Sequence, residues 1–150
     1  MNAATPIQSN APAQARFLKV GEDGSLLSPD ASEWVAVLDT KSKLMWTVEV
    51  LPQQTFAAAA GSVATLRTAG FADWRVPTVE ELFCLADRTR RPPAIDTDYF
   101  PETQPDWFLS STLDASSPSG CAWGVNFDDG YSYWNFQFYE GFVRAVRPGQ

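Results

Sequence analysis

The sequence predicts a single α+β domain in which two helices pack on an irregular antiparallel sheet with long C-terminal loops. The chain has 150 residues, of which 45% are hydrophobic, and this length and composition are typical of one globular core. Strand-like runs precede two helix-like segments, and further strand-like runs follow residue 93. No internal repeat is present. We divide the chain into a flexible N-terminal tail, residues 1–15, and one domain, residues 16–150.

The first strands are predicted by short runs of β-branched and aromatic residues. Residues 16–20 predict a strand that ends in the Gly-containing turn at 21–24. Residues 34–38 and 44–50 predict a β-hairpin, because a short polar linker joins them. Pro52 is expected to end the second strand of that hairpin.

Two helices are predicted next. Apolar residues at helical spacing predict a helix over residues 56–69, which Gly70 stops. Thr78 followed three residues later by Glu81 is a capping-box pattern and marks the second helix, whose C-terminal end should lie near the arginines of residues 88–91. Three side chains of this helix are expected to face the core: Leu82, Leu85 and Ala86.

Beyond residue 93, polar loops alternate with short runs that predict an antiparallel meander. These runs are residues 107–111, 121–127, 131–138 and 142–146. Asp128, Asp129 and Gly130 favour a hairpin turn between the second run and the third.

The charge is unevenly distributed along the chain. There are 11 basic and 18 acidic residues, which give a net charge of −7. The segment between Arg91 and Arg144 contains no Lys or Arg, yet it holds eight acids and 13 aromatic residues. Because the rest of the chain is nearly neutral, the acidity and most aromatic residues belong to one C-terminal segment.

Several classes of protein are excluded by composition. The sequence has no His, so Ser-His-Asp triads, Cys-His dyads and His-ligated zinc are excluded. Its acidity argues against a nucleic-acid partner, which requires a surface rich in Lys and Arg. No apolar run approaches the roughly 18 residues that span a bilayer, so no membrane partner is expected.

The compartment is predicted from the N-terminus and the cysteines. Residues 1–15 lack the basic and apolar regions of a secretory signal, which predicts a cytoplasmic protein, although a displayed or particle-associated form stays open. Cys84 and Cys121 form no metal motif, and we expect two free, buried thiols, with a bridge between them as the alternative. No cofactor is indicated.

Several runs along the chain resemble one known family in their order and spacing. The most telling is Asp-Trp-Arg-Val-Pro-Thr-Val-Glu-Glu-Leu at residues 73–82. The others are residues 34–39, 44–46, 93–96, 100–101, 107–111, 122–127 and 143–147. From about Arg16 to its end, the chain resembles the domain family named for the C-terminal domain of the bacterial collagen-like adhesin Lcl.

That resemblance implies a C-type-lectin-like fold, because the family is similar to the C-type lectins and the formylglycine-generating enzymes. It also implies a scaffold that displays a binding region after its second helix. The enzymes use closely spaced cysteines near the C-terminus, which Cys84 and Cys121 do not match, so we expect no enzymatic activity. One relative in the family is an adhesin domain associated with sulfated glycans, but such polyanions need basic surfaces and do not suit this acidic segment.

Some conspicuous residues are assigned structural roles. Trp74 is expected to fill the core, and Arg75 to pair with a carboxylate or with carbonyl groups under the loops. Arg144 or Arg147 is expected to anchor the acidic loops, since a buried Arg must be well hydrogen bonded.

Acidic side chains in the C-terminal segment raise the alternative of a Ca²⁺ site. Carboxylate oxygens suit this cation, and the candidates are Asp96, Asp98, Asp114, Asp128 and Asp129. Residues 104–106, Gln-Pro-Asp, resemble the tripeptide that C-type lectins use for Ca²⁺-dependent sugar binding, but no Trp-Asn-Asp partner follows. Because Asp also stabilises turns through its own side chain, we assign no metal site.

Aromatic residues alternate on both faces of the predicted strand after the turn. A strand pair buries one face against its own core, so the rings on the other face stay exposed unless a partner or a second subunit covers them. One face carries Tyr131, Tyr133 and Asn135, and the other carries Trp134, Phe136 and Phe138. Exposed Tyr and Trp are typical of protein-binding hot spots and of sugar-stacking surfaces.

We therefore predict a non-enzymatic recognition domain that binds a protein or glycan ligand through residues 106–140. Aromatic anchors and an acidic rim would face a basic or neutral partner. The candidate ligand-binding residues are Asp106, Trp107, Asp128, Asp129, Tyr131, Tyr133, Trp134 and Tyr139. The alternatives are an acidic inhibitor from a phage or mobile element that occludes a basic site on a host protein, a structural subunit that forms homo-oligomers, and a lectin for neutral sugars, with or without Ca²⁺.

Overall fold

The computed structural model describes residues 15–149. The predicted N-terminal tail lies outside the described residues except for Ala15. The described part contains nine β-strands: β1 (Phe17–Val20), β2 (Ala36–Asp39), β3 (Leu44–Thr47), β4 (Leu51–Gln54), β5 (Trp107–Leu113), β6 (Cys121–Asn126), β7 (Tyr131–Phe136), β8 (Gly141–Val143) and β9 (Val146–Pro148). It also contains helix α1 (Phe56–Ala64), helix α2 (Val79–Phe83) and a 3-10 turn (Thr68–Gly70).

The strands form two sheets, which confirms the α+β class but replaces the single sheet we expected. The first sheet is antiparallel, with the order β1-β2-β3-β9. The second has the order β4-β8-β5-β6-β7 and is antiparallel except where β5 runs parallel to β8. The predicted hairpin is confirmed, since β2 pairs with β3 from Ala36–Thr47 to Asp39–Leu44.

The last part of the chain connects the two sheets. Residues 142–146 were predicted as one strand, but β8 belongs to the second sheet and β9 to the first. Arg144 and Ala145 lie at the crossing and are buried. Pro52 does not end β3 as predicted; it lies inside β4, where it is tolerated because β4 is an edge strand.

Both helices begin as predicted and end earlier. Helix α1 ends at Ala64, where the next two N–H groups, of Thr65 and Leu66, donate only three residues back, to Ser62 and Val63. The chain then turns through Ala69 and Gly70, which both have positive φ angles. The capping box of α2 is confirmed: the Thr78 backbone N–H donates to a Glu81 carboxylate oxygen at 2.9 Å, and the Glu81 N–H donates to the Thr78 hydroxyl at 3.2 Å. The helix ends at Phe83 rather than near residues 88–91.

The core consists of two apolar clusters between the helices and the sheets. One cluster packs Leu82 of α2 against Trp46 and Phe108 from both sheets. The other packs Val63 of α1 against Met45 and Trp107, again from both sheets. Leu85 and Trp74 are buried as predicted, whereas Ala86 is only half-buried.

The cysteines and Arg75 differ partly from expectation. Cys121 is buried, but Cys84 is exposed at the end of α2, and no disulfide joins them. The prediction that both thiols are buried was therefore wrong for Cys84. Arg75 pairs with a carboxylate, that of Glu81, through two hydrogen bonds of 2.8 Å, but its side chain is exposed rather than lying under loops.

Candidate functional site

The edge strand β7 and the residues that follow it expose an unusual number of aromatic side chains. Six rings between residues 131 and 139 are 45–74% exposed: Tyr131, Tyr133, Trp134, Phe136, Phe138 and Tyr139. We name this group the β7 surface. The expectation that one face of the strand stays exposed is confirmed, and in fact both faces are exposed.

The two faces of β7 differ in their chemistry. On one face Trp134, Phe136 and Phe138 pack on each other: the rings of Phe136 and Phe138 stack at 5.3 Å, and Trp134 meets Phe136 edge-on at 5.9 Å. The opposite face carries Tyr133 and Asn135, which lie across from Gly124 and Ala122 of β6. One face of β7 therefore carries an apolar ring cluster, and the opposite face is more polar.

The polar face of β7 borders a cavity of about 310 Å³. Its lining residues come from the start of β5, the β6–β7 hairpin and the segment after β7: Asp106, Trp107, Asn126, Asp129, Tyr133, Asn135 and Tyr139. Five of the eight candidate ligand-binding residues thus line one cavity. They converge because β5 and β6 pair with Trp107 opposite Asn126, and β6 and β7 pair with Asn126 opposite Tyr131.

The other three candidate residues lie outside this cavity. The Tyr131 ring packs against the guanidinium of Arg88, whose Cζ lies 4.6 Å from the ring centroid. Trp134 is on the opposite face of β7, and Asp128 is exposed in the turn, where its backbone N–H donates to Asn126 Oδ1 at 2.9 Å. Arg88 is a cation beside the β7 surface that the count of charges along the sequence did not anticipate.

Trp107 forms a buried wall of the cavity. It is 7% exposed, and its indole N–H has no hydrogen-bond partner within residues 15–149. Two glycines make room for the ring: a Cβ at Gly124 would lie 2.7 Å from Trp107 Cη2, and one at Gly141 would lie 2.6 Å from its Cδ1. The indole is therefore held between two strands that lack side chains at the contact.

Hydrogen bonds fix the acidic side chains of the cavity. The Tyr133 hydroxyl donates to Asp129 Oδ2, and this bond raises the pKa of Tyr133. Asp129 Oδ1 accepts the Tyr131 backbone N–H at 3.0 Å, and Asp106 Oδ1 accepts that of Trp107 at 2.7 Å. Both carboxylates are thus oriented by the chain itself, and no Lys or Arg is among the lining residues.

Asn126 and Asn135 are lining residues that were not among our candidates. Their side-chain oxygens accept the backbone N–H groups of Asp128 and Phe136, at 2.9 and 2.8 Å. Their NH₂ groups are therefore left as donors beside the acidic acceptors. The alternation that places Asn135 on the face of Tyr133 was a usable signal, whereas nothing local in the sequence distinguished Asn126.

Arg144 supports the chain that leads into the cavity. It is 1% exposed, and its guanidinium donates to the carbonyls of Thr47 and Val48 at 2.6 and 2.9 Å and to the Thr103 hydroxyl at 2.8 Å. Burial lowers the pKa of Arg144 to about 9, so the side chain stays charged at neutral pH. Because Thr103 precedes Asp106 by three residues, Arg144 anchors the acidic segment as expected.

Arg147 does not have this role. It pairs with Asp73, outside the acidic segment, at 2.6 and 3.2 Å, and that pairing lowers the pKa of Asp73. Its guanidinium also lies over the Phe71 ring, 3.6 Å from the centroid. Arg147 therefore fixes the segment before α2 against β9.

Across residues 15–149, no three His, Cys, Asp or Glu side chains lie close enough together to hold a metal ion. Within the same range, no helix has both the length and the apolar character to cross a bilayer.

Comparison with known proteins identifies the family. A search of curated proteins found no match. The family model described as the Lcl C-terminal domain matches residues 35–147, which is most of the chain and runs from just before β2 into β9. Strand β1 precedes the matched region and completes the first sheet by pairing with β2. The chain therefore belongs to the Lcl C-terminal domain family.

Proposed function

We propose that this protein is a non-enzymatic recognition domain that binds a protein partner through the β7 surface. The observation that carries the proposal is the exposure of six aromatic rings, four on the edge strand β7, where they occupy both faces, and two in the residues that follow it. Groups of large apolar side chains that are left in water often mark interaction sites on soluble proteins.

The rings of the β7 surface suit a binding role energetically. Tyr and Trp bury a large area with few rotatable bonds, which makes them frequent hot spots. Phe136 and Phe138 are already stacked, and Tyr133 is held by Asp129, so less conformational entropy is lost when a partner binds. Burying one such ring fully contributes about 1.5–3 kcal/mol.

The charge around the β7 surface favours a basic or neutral partner. Asp128, Asp129 and Glu140 flank the strand and are exposed. Arg88 offsets part of this charge at the end near Tyr131. An acidic inhibitor that covers a basic site on another protein is one form that this recognition could take, and the C-type-lectin-like architecture implied by the family would place its binding region here.

The hydrogen bonds of the two cavity carboxylates also agree with a binding role. Asp106 and Asp129 are both engaged in hydrogen bonds within the chain, which orient them as fixed acceptors. Both residues are exposed, whereas catalytic acids and bases are more often buried in a cleft.

A neutral glycan is the second candidate ligand, and the cavity supports it. Sugar hydroxyls both donate and accept, and the cavity offers carboxylate acceptors, the amide donors of Asn126 and Asn135, and two tyrosine rings.

Arrays of immobilised peptides and of glycans test the proposal side by side. The wild-type protein is compared with the double variant Tyr133→Ala/Trp134→Ala, and Leu26→Ala serves as control because Leu26 is 57% exposed but remote in sequence from the β7 surface. We expect peptide binding that the double variant loses and the control keeps. Signals confined to glycans would favour the lectin function, and signals that the double variant retains in full would refute both uses of this surface.

A further inference from the structure

The free edges of the two sheets are protected differently. The edge of β1 is covered by the returning chain, where Val20 pairs with Leu26 and the Leu27 N–H donates to the Lys19 carbonyl at 2.9 Å. The edge of β9 is covered by Arg75, which exchanges two backbone hydrogen bonds of 2.9 Å with Val146.

The second sheet has one protected edge and one open edge within the described residues. Strand β4 carries Pro52, which has no N–H to offer to another strand. Strand β7 has no Pro, no Lys and no bulge, and it pairs with β6 in unbroken register over six residues. Edges of this kind are the ones that accept an additional strand.

The phase of the β6–β7 ladder shows which backbone groups point outward. The Gln137 N–H donates to the Gly120 carbonyl at 2.9 Å, and bonded pairs alternate along an antiparallel ladder. The backbone groups of Tyr131, Tyr133 and Asn135 therefore face β6, while those of Ser132 and Trp134 face away from the sheet.

The next outward residue, Phe136, is closed by the chain itself. Its N–H donates to Asn135 Oδ1 at 2.8 Å, and its carbonyl accepts the Tyr139 N–H at 2.9 Å. The open edge is thus limited to Ser132–Trp134, where the N–H and C=O groups of two residues are available.

We propose that an extended, basic segment of a partner protein adds to β7 as an outer strand at Ser132–Trp134. This inference rests on the proposed function, since it specifies how the β7 surface binds. Backbone hydrogen bonds to Ser132 and Trp134 fix the register of the added strand, and the exposed rings on the two faces of β7 pack against its side chains.

The charges select the composition of the added strand. On the face of Tyr133, its side chains lie beside Asp129 and the acidic cavity, which favours Lys or Arg. On the face of Trp134, they lie against an apolar ring cluster, which favours aliphatic or aromatic residues. The expected segment therefore alternates basic and apolar residues.

Two other occupants fit less well. A second copy that paired antiparallel through the two open residues, Ser132 opposite Trp134, would place Tyr133 opposite Tyr133. Each of these hydroxyls is bonded to its own Asp129, so two acidic surfaces would meet and repel each other. The chain's own residues 1–14 contain no Lys or Arg and include Pro6 and Pro12, so they do not match the expected strand.

A phage-displayed library of random peptides, panned against the whole protein, tests the proposal. Selected peptides are titrated by fluorescence anisotropy against wild type, Ser132→Pro, Ser132→Thr and the double variant Tyr133→Ala/Trp134→Ala. Ser132→Pro removes one outward N–H without touching the bonds to β6, and Ser132→Thr is its matched control. Near-ultraviolet circular dichroism verifies that each variant is folded, and sedimentation gives its oligomeric state.

We expect peptides with alternating basic and apolar residues that bind Ser132→Pro at least about tenfold more weakly than wild type, a change of about 1.4 kcal/mol, and Ser132→Thr unchanged. Peptides that need the two rings but bind Ser132→Pro normally would overturn strand addition and leave the proposed function standing. Peptides indifferent to the rings would overturn both. A wild-type dimer that Ser132→Pro dissociates would assign the edge to a second copy instead.

Discussion

Replacing the buried Arg144 by Met should destabilise the protein far more than the loss of an exposed Arg. The Arg144 guanidinium donates three hydrogen bonds, two of them to the carbonyls of Thr47 and Val48. Met keeps most of the volume but leaves both carbonyls without this donor, at about 1–3 kcal/mol each. Loss of the contact with the Phe100 ring, 4.8 Å from the guanidinium carbon, adds about 1 kcal/mol.

Removing a buried charge offsets part of this loss, so we expect Arg144→Met to lower the free energy of unfolding by about 4 kcal/mol. That is a large fraction of the roughly 5–15 kcal/mol that stabilises an ordinary domain. Arg90→Met is the control, because Arg90 is exposed and its ion pairs with Asp87 and Asp96, at 3.2 and 3.3 Å, should contribute less than about 1 kcal/mol.

Urea unfolding followed by tryptophan fluorescence measures both variants. If Arg144→Met and Arg90→Met unfold at the same urea concentration, the guanidinium does not hold the crossing between the sheets, and the role assigned to it is wrong.

Two further predictions concern acid stability and packing. The pKa of Asp39 is lowered in the fold, where burial alone would raise it, because Arg16 hydrogen bonds to it at 2.9 and 3.1 Å. The stability that the ionised Asp39 contributes is therefore complete above pH 3.8, the ordinary pKa of an Asp, and is lost as the pH falls through the lower pKa of the folded state. Asp39→Asn should for this reason flatten the acid side of a plot of melting temperature against pH. A plot that the substitution leaves unchanged contradicts this. Gly124→Ala should cost at least about 1–3 kcal/mol, because the added Cβ would clash with the Phe108 carbonyl oxygen and would lie 2.7 Å from the Trp107 ring. Gly61→Ala in α1, with open space around it, should gain about 0.5–1 kcal/mol; thermal unfolding that gives both variants the same sign refutes the packing argument.

Features determined by neighbours in sequence could be predicted, and features determined by distant contacts could not. The β2–β3 hairpin and the capping box of Thr78 and Glu81 depend on residues a few positions apart, and both were confirmed. The division of residues 142–146 between two sheets depends on Arg144 bonding to carbonyls almost 100 positions earlier in the chain. No local pattern in the sequence records that contact.

The candidate site also combines features that depend on neighbours in sequence with features that depend on distant contacts. The exposure of one face of the aromatic strand followed from its alternation, because a strand pair buries only one face against its own core, but the exposure of both faces did not. The cavity depends on the registers of β5, β6 and β7, which bring Asp106 and Asn126 beside Tyr133. A shift of one residue in either pairing would turn these side chains to the other face, so only the structure could assemble the set.

The cavity and the open edge are parts of one arrangement, because two residues belong to both. Asn135 lines the cavity and, through Oδ1, takes up the outward N–H of Phe136; Tyr139 lines the cavity and takes up the Phe136 carbonyl. The hydrogen bonds that join Asn135 and Tyr139 to Phe136 therefore hold two lining residues of the cavity and also end the open edge after Trp134. A ligand that pulls Asn135 or Tyr139 into new hydrogen bonds would release Phe136 and lengthen the edge available to a partner strand, so occupancy of the cavity and pairing along β7 must influence each other.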